Sequence, residues 1–146
     1  MYKKILVPVD GSEGTGKVLK SAAGIAQEGT EITLFHVVSP IPPFIIARAD
    51  EQIGVISEES FNFGNQILEK AKKELKEILA GVEGVKTSSG IVMGQAAEEI
   101  VKLASEGKYD VVVIGSRGLG GFSGFLLGSV SNRVVRHSKT PVLVVR

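Results

Sequence analysis

Short apolar runs alternate along the whole chain with longer stretches of mixed polarity, and this alternation is the strongest indication of the fold. The runs are dense in valine and isoleucine, as are strands buried on both faces of a sheet. They cover residues 5–9, 32–38, 85–92, 111–114 and 142–145. Strands that alternate with helices predict an α/β fold built on a mostly parallel sheet.

Four helical stretches are predicted between these runs. The strongest covers 60–80, where apolar residues recur at helical spacing and lysine and glutamate occupy the other face. The weakest covers 13–28, because glycines interrupt it. The other two cover 95–105, with carboxylates in its first turn, and 129–137.

Five strands and four helices fit a doubly wound, flavodoxin-like sheet with strand order 2-1-3-4-5 or 3-2-1-4-5. In such sheets a ligand binds beyond the carboxyl ends of the strands, where the strand order reverses. With the order 3-2-1-4-5 this point lies between the first and fourth strands. Residues 8–10 would then face the loop that begins at Gly115.

A spaced glycine pattern follows the fourth run. Gly115, Gly118 and Gly128 fit G-x2-G-x9-G-[S/T], and the last pair opens the helix that begins at Ser129. Glycines allow backbone N–H groups to approach an anion, and a helix start adds unpaired donors and a partial positive charge. The pattern predicts a phosphate site; the alternative is a flexible surface loop with a helix cap.

Two charged residues border the predicted crevice. Asp10 either caps the first helix or accepts a bond from a ribose hydroxyl or holds a metal ion near phosphates. Arg117 lies between two loop glycines, where it either donates to a phosphate or faces solvent.

Other nucleotide and catalytic sites fit less well. Residues 11–17 read G-x-x-x-x-G-K, but Val18 stands where a P-loop has the Ser or Thr that binds Mg²⁺. A receiver domain requires an aspartate after the third strand, which here ends in Met93-Gly94. His36 and His137 are predicted at the ends of elements and lack an orienting acid, so neither a metal site nor a catalytic role is indicated.

Residues 39–58 are predicted to be irregular, because prolines at 40, 42 and 43 exclude a central strand or a helix there. The segment is too apolar for a solvated linker. We expect a loop packed over the sheet edge; a lid or a partner-contact segment is the alternative.

Composition narrows the class of protein further. The chain has 146 residues, a net charge of +1 and no cysteine. The charge gives no electrostatic reason to expect nucleic acid, and the absence of cysteine excludes disulfides and thiol nucleophiles. No signal peptide is evident, and no apolar run approaches the ~18 residues of a membrane span. We therefore expect a cytoplasmic protein without nucleic-acid or membrane partners.

These motifs resemble those of the universal stress protein family over the whole chain. The likeness rests on the start at 2–13, on His36-Val37-Val38, on the intact glycine loop and on the closing strand at 141–145. It implies one nucleotide-binding domain over 1–146, with an adenine nucleotide alpha hydrolase-like sandwich, strand order 3-2-1-4-5 and four helices. It also implies the subgroup that binds ATP and a homodimer through the strand at 141–146.

The resemblance also implies a role for each site residue. Pro8, Val9 and Val37 would line the adenine pocket, and backbone groups of Val9 and Val37 would give it polar contacts. Met93 would pack on the adenosine, with Ile114 behind it. Asp10 would meet the ribose or a divalent ion, Mg²⁺ or Mn²⁺. The phosphates would lie against Gly115, Arg117, Gly118, Gly128, Ser129, Val130 and Ser131.

Three functions remain open from the sequence. The first is an ATP-binding regulatory module of the stress response that hydrolyses ATP slowly at most. The second is a dimeric interaction module that binds partners through residues 39–58 and whose nucleotide site is empty or vestigial. The third is a Mg²⁺-dependent adenine-nucleotide hydrolase that uses Asp10.

Overall fold

The fold is a five-stranded parallel sheet with strand order 3-2-1-4-5, as the sequence predicts. The computed structural model describes residues 1–40, 52–117 and 127–146. Its elements, in chain order, are β1 (Lys4–Pro8), α1 (Thr15–Gly24), β2 (Glu31–Val38), α2 (Gln52–Ile78), β3 (Lys86–Met93), α3 (Ala96–Glu106), β4 (Val111–Gly115), α4 (Ser129–His137) and β5 (Val142–Val145).

The two faces of the sheet carry two separate cores. Successive residues of a strand point to opposite faces, and in β1 both Leu6 and Val7 are fully buried. The face that includes Val7 packs against α1 and α2. The face that includes Leu6 packs against α3 and α4. This double burial explains the continuous apolar runs at 5–7 in β1 and 111–114 in β4.

The helix predicted at 60–80 begins earlier than expected. In the structure α2 starts at Gln52, so residues 52–58 of the predicted irregular segment are helical. The prolines that exclude a helix lie at 40, 42 and 43, and beyond Gln52 no proline interrupts the backbone bonds of α2. Residues 41–51 of that segment lie outside the described residues.

The remaining predicted boundaries differ from the structure by a few residues. Helix α1 is shorter than predicted, ending at Gly24, and β3 ends one residue later, at Met93. His36 lies inside β2 rather than at its end. Among the described residues no helix is both long and apolar enough to cross a membrane.

Candidate functional site

A crevice opens between β1 and β4, and Pro8 explains why. These strands pair at Ile5 with Val111 and at Leu6 with Val112. In a parallel ladder the next donor from β1 would be the N–H of residue 8, directed at the Val113 carbonyl. Proline has no N–H. The ladder therefore ends at Leu6, and the two strands are free to separate above it.

The crevice widens into a cavity of about 280 Å³ at the carboxyl ends of the strands. This volume is near the lower end for a small-molecule pocket. Its wall combines strand ends, the start of α1, one face of α3 and the start of α4: Pro8, Val9, Asp10, Ser12, Thr15, Val18, Phe35, His36, Val37, Ala96, Ile100, Ile114, Gly115, Arg117, Gly128, Ser129, Val130 and Ser131.

One end of the cavity is built from the start of α4. Among the described residues no side chain caps this helix at its N-cap, Gly128. The first backbone N–H groups of a helix have no acceptor within it. The first turn contains no acid, whereas Arg136 and His137 lie in the last turn. The cavity therefore has at this end a set of donors and a partial positive charge that suit an anion.

The position of α4 is fixed by hydrogen bonds to the residue that follows β4. The Gly128 N–H donates to the Ser116 carbonyl oxygen at 2.7 Å. The buried Ser131 hydroxyl lies 3.1 Å from the same carbonyl and 3.1 Å from the Gly128 carbonyl. The Ser116 N–H in turn donates to Val145 of β5 at 2.8 Å. The start of α4 is thus tied directly to the sheet.

The turn after β1 is organised by Asp10. Its carboxylate accepts a hydrogen bond from the Ser12 N–H at 2.9 Å, an arrangement that Asp favours in turns. Gly11 has φ +79°, which side-chain-bearing residues rarely adopt. Helix α1 takes Gly14 as its N-cap, so Asp10 stabilises the turn and does not itself cap the helix.

The glycines of the P-loop-like run have packing roles. A Cβ at Gly11 would lie 3.1 Å from Ile67 Cγ1, and a Cβ at Gly16 would lie 2.6 Å from Glu74 Oε1. Both contacts are with α2. Lys17 belongs to α1, and its side chain is not part of the cavity wall. Close packing against α2 therefore accounts for the glycines at 11 and 16, and no phosphate-binding role is needed to explain them.

Most of the residues predicted for the site meet in this one cavity. Met93 is not part of the described wall, because β2 stands between β3 and the crevice. Gly118 lies outside the described residues. The others line the wall: Pro8, Val9, Asp10, Val37, Ile114, Gly115, Arg117, Gly128, Ser129, Val130 and Ser131.

Sequence reasoning missed several wall residues. Ala96 and Ile100 are four positions apart on α3, so they share a face; this spacing was visible in the sequence. Phe35 and His36 belong to β2, which flanks β1, and their place follows from the strand order. The direction in which α1 leaves the end of β1 places three further residues in the wall: Ser12, Thr15 and Val18. No local sequence pattern indicates that direction.

The described side chains do not form a metal centre by themselves. Among them no group of three or more His, Asp or Glu residues could hold an ion. Asp10 is the acid of the cavity wall. A divalent ion here would need oxygen ligands from a bound phosphate, which is how Mg²⁺ is commonly held.

The chain matches the profile described as the universal stress protein family over residues 1–146. It is 37% identical to universal stress protein MJ0531 of Methanocaldococcus jannaschii, over 100% of this chain and 83% of that one. It is 34% identical to universal stress protein YxiE of Bacillus subtilis, over 100% of both.

Solved structures agree with this match. UspA of Lactobacillus plantarum is 26% identical with a TM-score of 0.76, over 99% of this chain and 98% of that one. A universal stress protein solved in complex with cAMP is 29% identical with a TM-score of 0.70, over 99% of this chain and 97% of that one.

Proposed function

The chain belongs to the universal stress protein family, and we propose that it is an ATP-binding regulatory module of the stress response. On this proposal residues 1–146 form one cytoplasmic nucleotide-binding domain that works as a homodimer. The observation that carries the proposal is the single cavity that joins the apolar crevice at Pro8 to the uncapped start of α4. The relative solved in complex with cAMP supports an adenine nucleotide as the ligand.

The two ends of the cavity suit the two ends of a nucleotide. The base would lie against Pro8, Val9 and Val37, where the wall is apolar, with Ile114 behind it. Met93 lies on β3, and β2 separates that strand from the crevice. Met93 would therefore contact the adenosine only if the bound ligand reached across the end of β2. The phosphates would lie at the other end, against Gly115, Arg117, Gly118, Gly128, Ser129, Val130 and Ser131.

Asp10 would lie between these ends, beside the ribose. The Asp10 carboxylate already accepts a hydrogen bond from the Ser12 N–H, and this bond fixes the orientation of the carboxylate in the turn. A bound ribose hydroxyl or a Mg²⁺ or Mn²⁺ ion carried by the phosphates would complete its coordination. The ion supplies charge neutralisation for the phosphates when bound.

Hydrolysis is expected to be slow at most. A general base must reach the attacking water at hydrogen-bond distance. His36 Nδ1 is occupied by the Val9 carbonyl oxygen at 2.7 Å, and Asp10 holds the Ser12 N–H. Neither group lies at the start of α4, where the terminal phosphate would be.

The homodimer is proposed through residues 141–146. Strand β5 ends the sheet and pairs only with β4 among the described strands, so its outer edge offers unpaired backbone groups. Leu143 is 38% exposed and Val135 on α4 is 42% exposed. Pairing of two β5 edges is expected to reduce the exposure of Leu143. Light scattering is expected to give the mass of two chains. The mass of one chain would refute the proposed homodimer.

Two other functions have specific support. An interaction module with an empty site would bind a different partner, and not a second copy of the chain, at the exposed Leu143 and Val135. A Mg²⁺-dependent hydrolase is favoured by Asp10 in the cavity wall. Steady ATP turnover that Asp10→Ala abolishes would establish the hydrolase, whereas ATP that stays intact on the protein would exclude it.

The deciding experiment is thermal unfolding with and without millimolar Mg·ATP, with Mg·GTP as the competing ligand. A ligand at 100 times its Kd stabilises by about 2.7 kcal/mol, which raises the Tm of a domain this size by roughly 5–10 °C. A rise with ATP alone supports the proposal. No rise with either nucleotide contradicts it and favours the interaction module.

Variants of the two N-cap glycines give a matched control. Gly128→Val places a side chain where α4 begins and is expected to abolish the ATP-dependent rise while the protein stays folded. Gly118→Val is expected to do the same. Gly14→Val changes the N-cap of α1, where a Cβ meets nothing within 4 Å, and is expected to retain the rise. ATP binding that survives in both loop variants would refute the loop assignment.

A further inference from the structure

The hydrogen bonds between β1 and β2 change partner at the edge of the cavity. The Val9 N–H donates to the Phe35 carbonyl oxygen at 2.9 Å, which continues the ladder one residue beyond β1. The next bond of a parallel ladder would run from the Val37 N–H to the Val9 carbonyl oxygen. Instead, the imidazole of His36 lies 2.7 Å from that oxygen through Nδ1. A side chain has taken the place of the backbone donor.

This exchange determines where the Val37 backbone points. Phe35 directs its N–H and C=O toward β1, as its bond with Val9 shows, and alternation gives Val37 the same direction. Beyond Val9 the space on that side is the cavity, whose wall includes both Val9 and Val37. The Val37 donor and acceptor therefore face the ligand space.

The imidazole is held in place by α2. A Cβ at Gly64 would lie 2.7 Å from His36 Cδ2 and 3.2 Å from Nε2. The same Cβ would lie 2.7 Å from Cδ1 of Ile91 on β3. The absence of a side chain at Gly64 thus leaves room for the ring. Because a carbonyl oxygen accepts but cannot donate, Nδ1 must carry the hydrogen.

We propose that His36 is the positioning residue of the base-binding end of the site. By holding the Val9 carbonyl, it keeps the Val37 N–H out of the sheet ladder and available to a ring nitrogen of the bound base. The inference rests on the proposed nucleotide site, and it concerns a residue of the cavity wall that acts on the base through Val9 and Val37. His36 thereby sets affinity for the base and not for the phosphates.

The test compares two ligands across matched variants. His36→Phe keeps a ring of similar size and removes the donor. His36→Asn keeps an N–H donor near the position of Nδ1. His137→Phe makes the same change at the other histidine of the chain, at the far end of α4. The ligands are Mg·ATP and inorganic tripolyphosphate, which lacks the base.

His36→Phe is expected to weaken ATP binding roughly tenfold, as loss of one ligand hydrogen bond does. Tripolyphosphate affinity is expected to change less than about twofold, since no phosphate contact is altered. His36→Asn should recover most of the ATP affinity, and His137→Phe should match the wild type. Equal loss of both ligands in His36→Phe, or no loss of ATP, would overturn the inference.

Amide hydrogen exchange gives a readout without ligand. In the wild type the Val37 amide faces the cavity and should exchange quickly, whereas in His36→Phe it can bond to Val9 and should become protected. An unchanged rate, or nitrogen NMR showing that the wild-type imidazole carries a hydrogen on Nε2 and none on Nδ1, would also overturn the inference. If the wild type binds no ATP, the proposed function itself fails. If it binds ATP and His36→Phe binds equally well, the role of His36 alone fails.

Discussion

The Gly128 N–H donates to the Ser116 carbonyl oxygen over 2.7 Å, so the residue that follows β4 and the residue that opens α4 lie side by side. The buried Ser131 hydroxyl adds a contact to the same carbonyl at 3.1 Å. One turn of α4 is thereby attached to the end of a central strand. This attachment fixes the direction in which the first N–H groups of the helix point.

Ser131→Ala tests that attachment. Loss of the buried hydroxyl is expected to reduce the free energy of unfolding by about 1 kcal/mol and the Tm by about 2–4 °C. Ser129→Ala is the control, because Ser129 opens the same turn and is exposed; its effect should stay within about 0.5 kcal/mol. Both are measured by thermal or urea unfolding. Equal effects of the two variants would contradict the structural role of Ser131.

Pro8→Ala tests why the crevice is open. The new N–H can donate to the Val113 carbonyl, which adds about 0.5–1.5 kcal/mol, while the lost rigidity of proline removes about 0.4–1 kcal/mol. We therefore expect little net change in the free energy of unfolding. ATP affinity should fall, because the added bond narrows the crevice.

Pro141→Ala is the control for Pro8→Ala. It loses proline rigidity at the start of β5, away from the cavity wall, and should lower stability slightly without changing ATP affinity. Calorimetric titration measures both affinities. Unchanged ATP binding in Pro8→Ala would show that the missing N–H does not hold the crevice open.

Two helix glycines are expected to respond in opposite directions to alanine. Gly64 is buried against the His36 ring and Ile91, so Gly64→Ala should destabilise by about 1–3 kcal/mol through overpacking. Gly24 is exposed in α1 with nothing within 4 Å of its Cβ position, so Gly24→Ala should stabilise by about 0.4–1 kcal/mol. Urea unfolding measures both. A stabilising Gly64→Ala would refute the close packing of α2 on His36.

Acid stability should depend on Asp110, which lies at the opposite end of the sheet from the cavity. Its carboxylate accepts the N–H groups of Lys4 and Lys3, at 2.8 and 2.7 Å. These bonds lower the pKa of Asp110 below its ordinary value of 3.8. Asp110 therefore stabilises the fold above that value, and the stabilisation is lost as the pH falls through its pKa in the native state.

Asp110→Asn should remove this part of the acid dependence. The variant should be less stable than the wild type at pH 6, and the difference should shrink below pH 3. Glu106→Gln, an exposed acid at the end of α3, is the control and should follow the wild-type curve. Unfolding midpoints measured from pH 2 to 6 decide this, and parallel curves for wild type and Asp110→Asn would contradict it.

The sheet could be predicted from the sequence because its central strands are buried on both faces. Such strands carry continuous runs of apolar residues, as at 5–9 and 111–114, and the alternation with helices leaves few possible strand orders. The start of α2 could not be predicted, since Pro40, Pro42 and Pro43 dominate that window. The apolar residues that follow them also lack a clear helical period.

The wall of the cavity was predicted where it follows from strand ends and the glycine loop. Pro8 and Gly115 illustrate this, because each ends a strand at the point where the order reverses. The bond from His36 to Val9 could not be predicted. It depends on the register of two distant strands and on the approach of α2 at Gly64, and neither leaves a local pattern in the sequence.

The missing N–H of Pro8 determines which amino-acid replacements should affect the cavity. The opening comes from a hydrogen that the backbone lacks, and the anion-facing end comes from amide groups at the start of a helix. Both belong to the main chain. Replacements that alter the main chain, such as Pro8→Ala and Gly128→Val, should consequently report on this cavity more directly than truncation of the side chains along its wall.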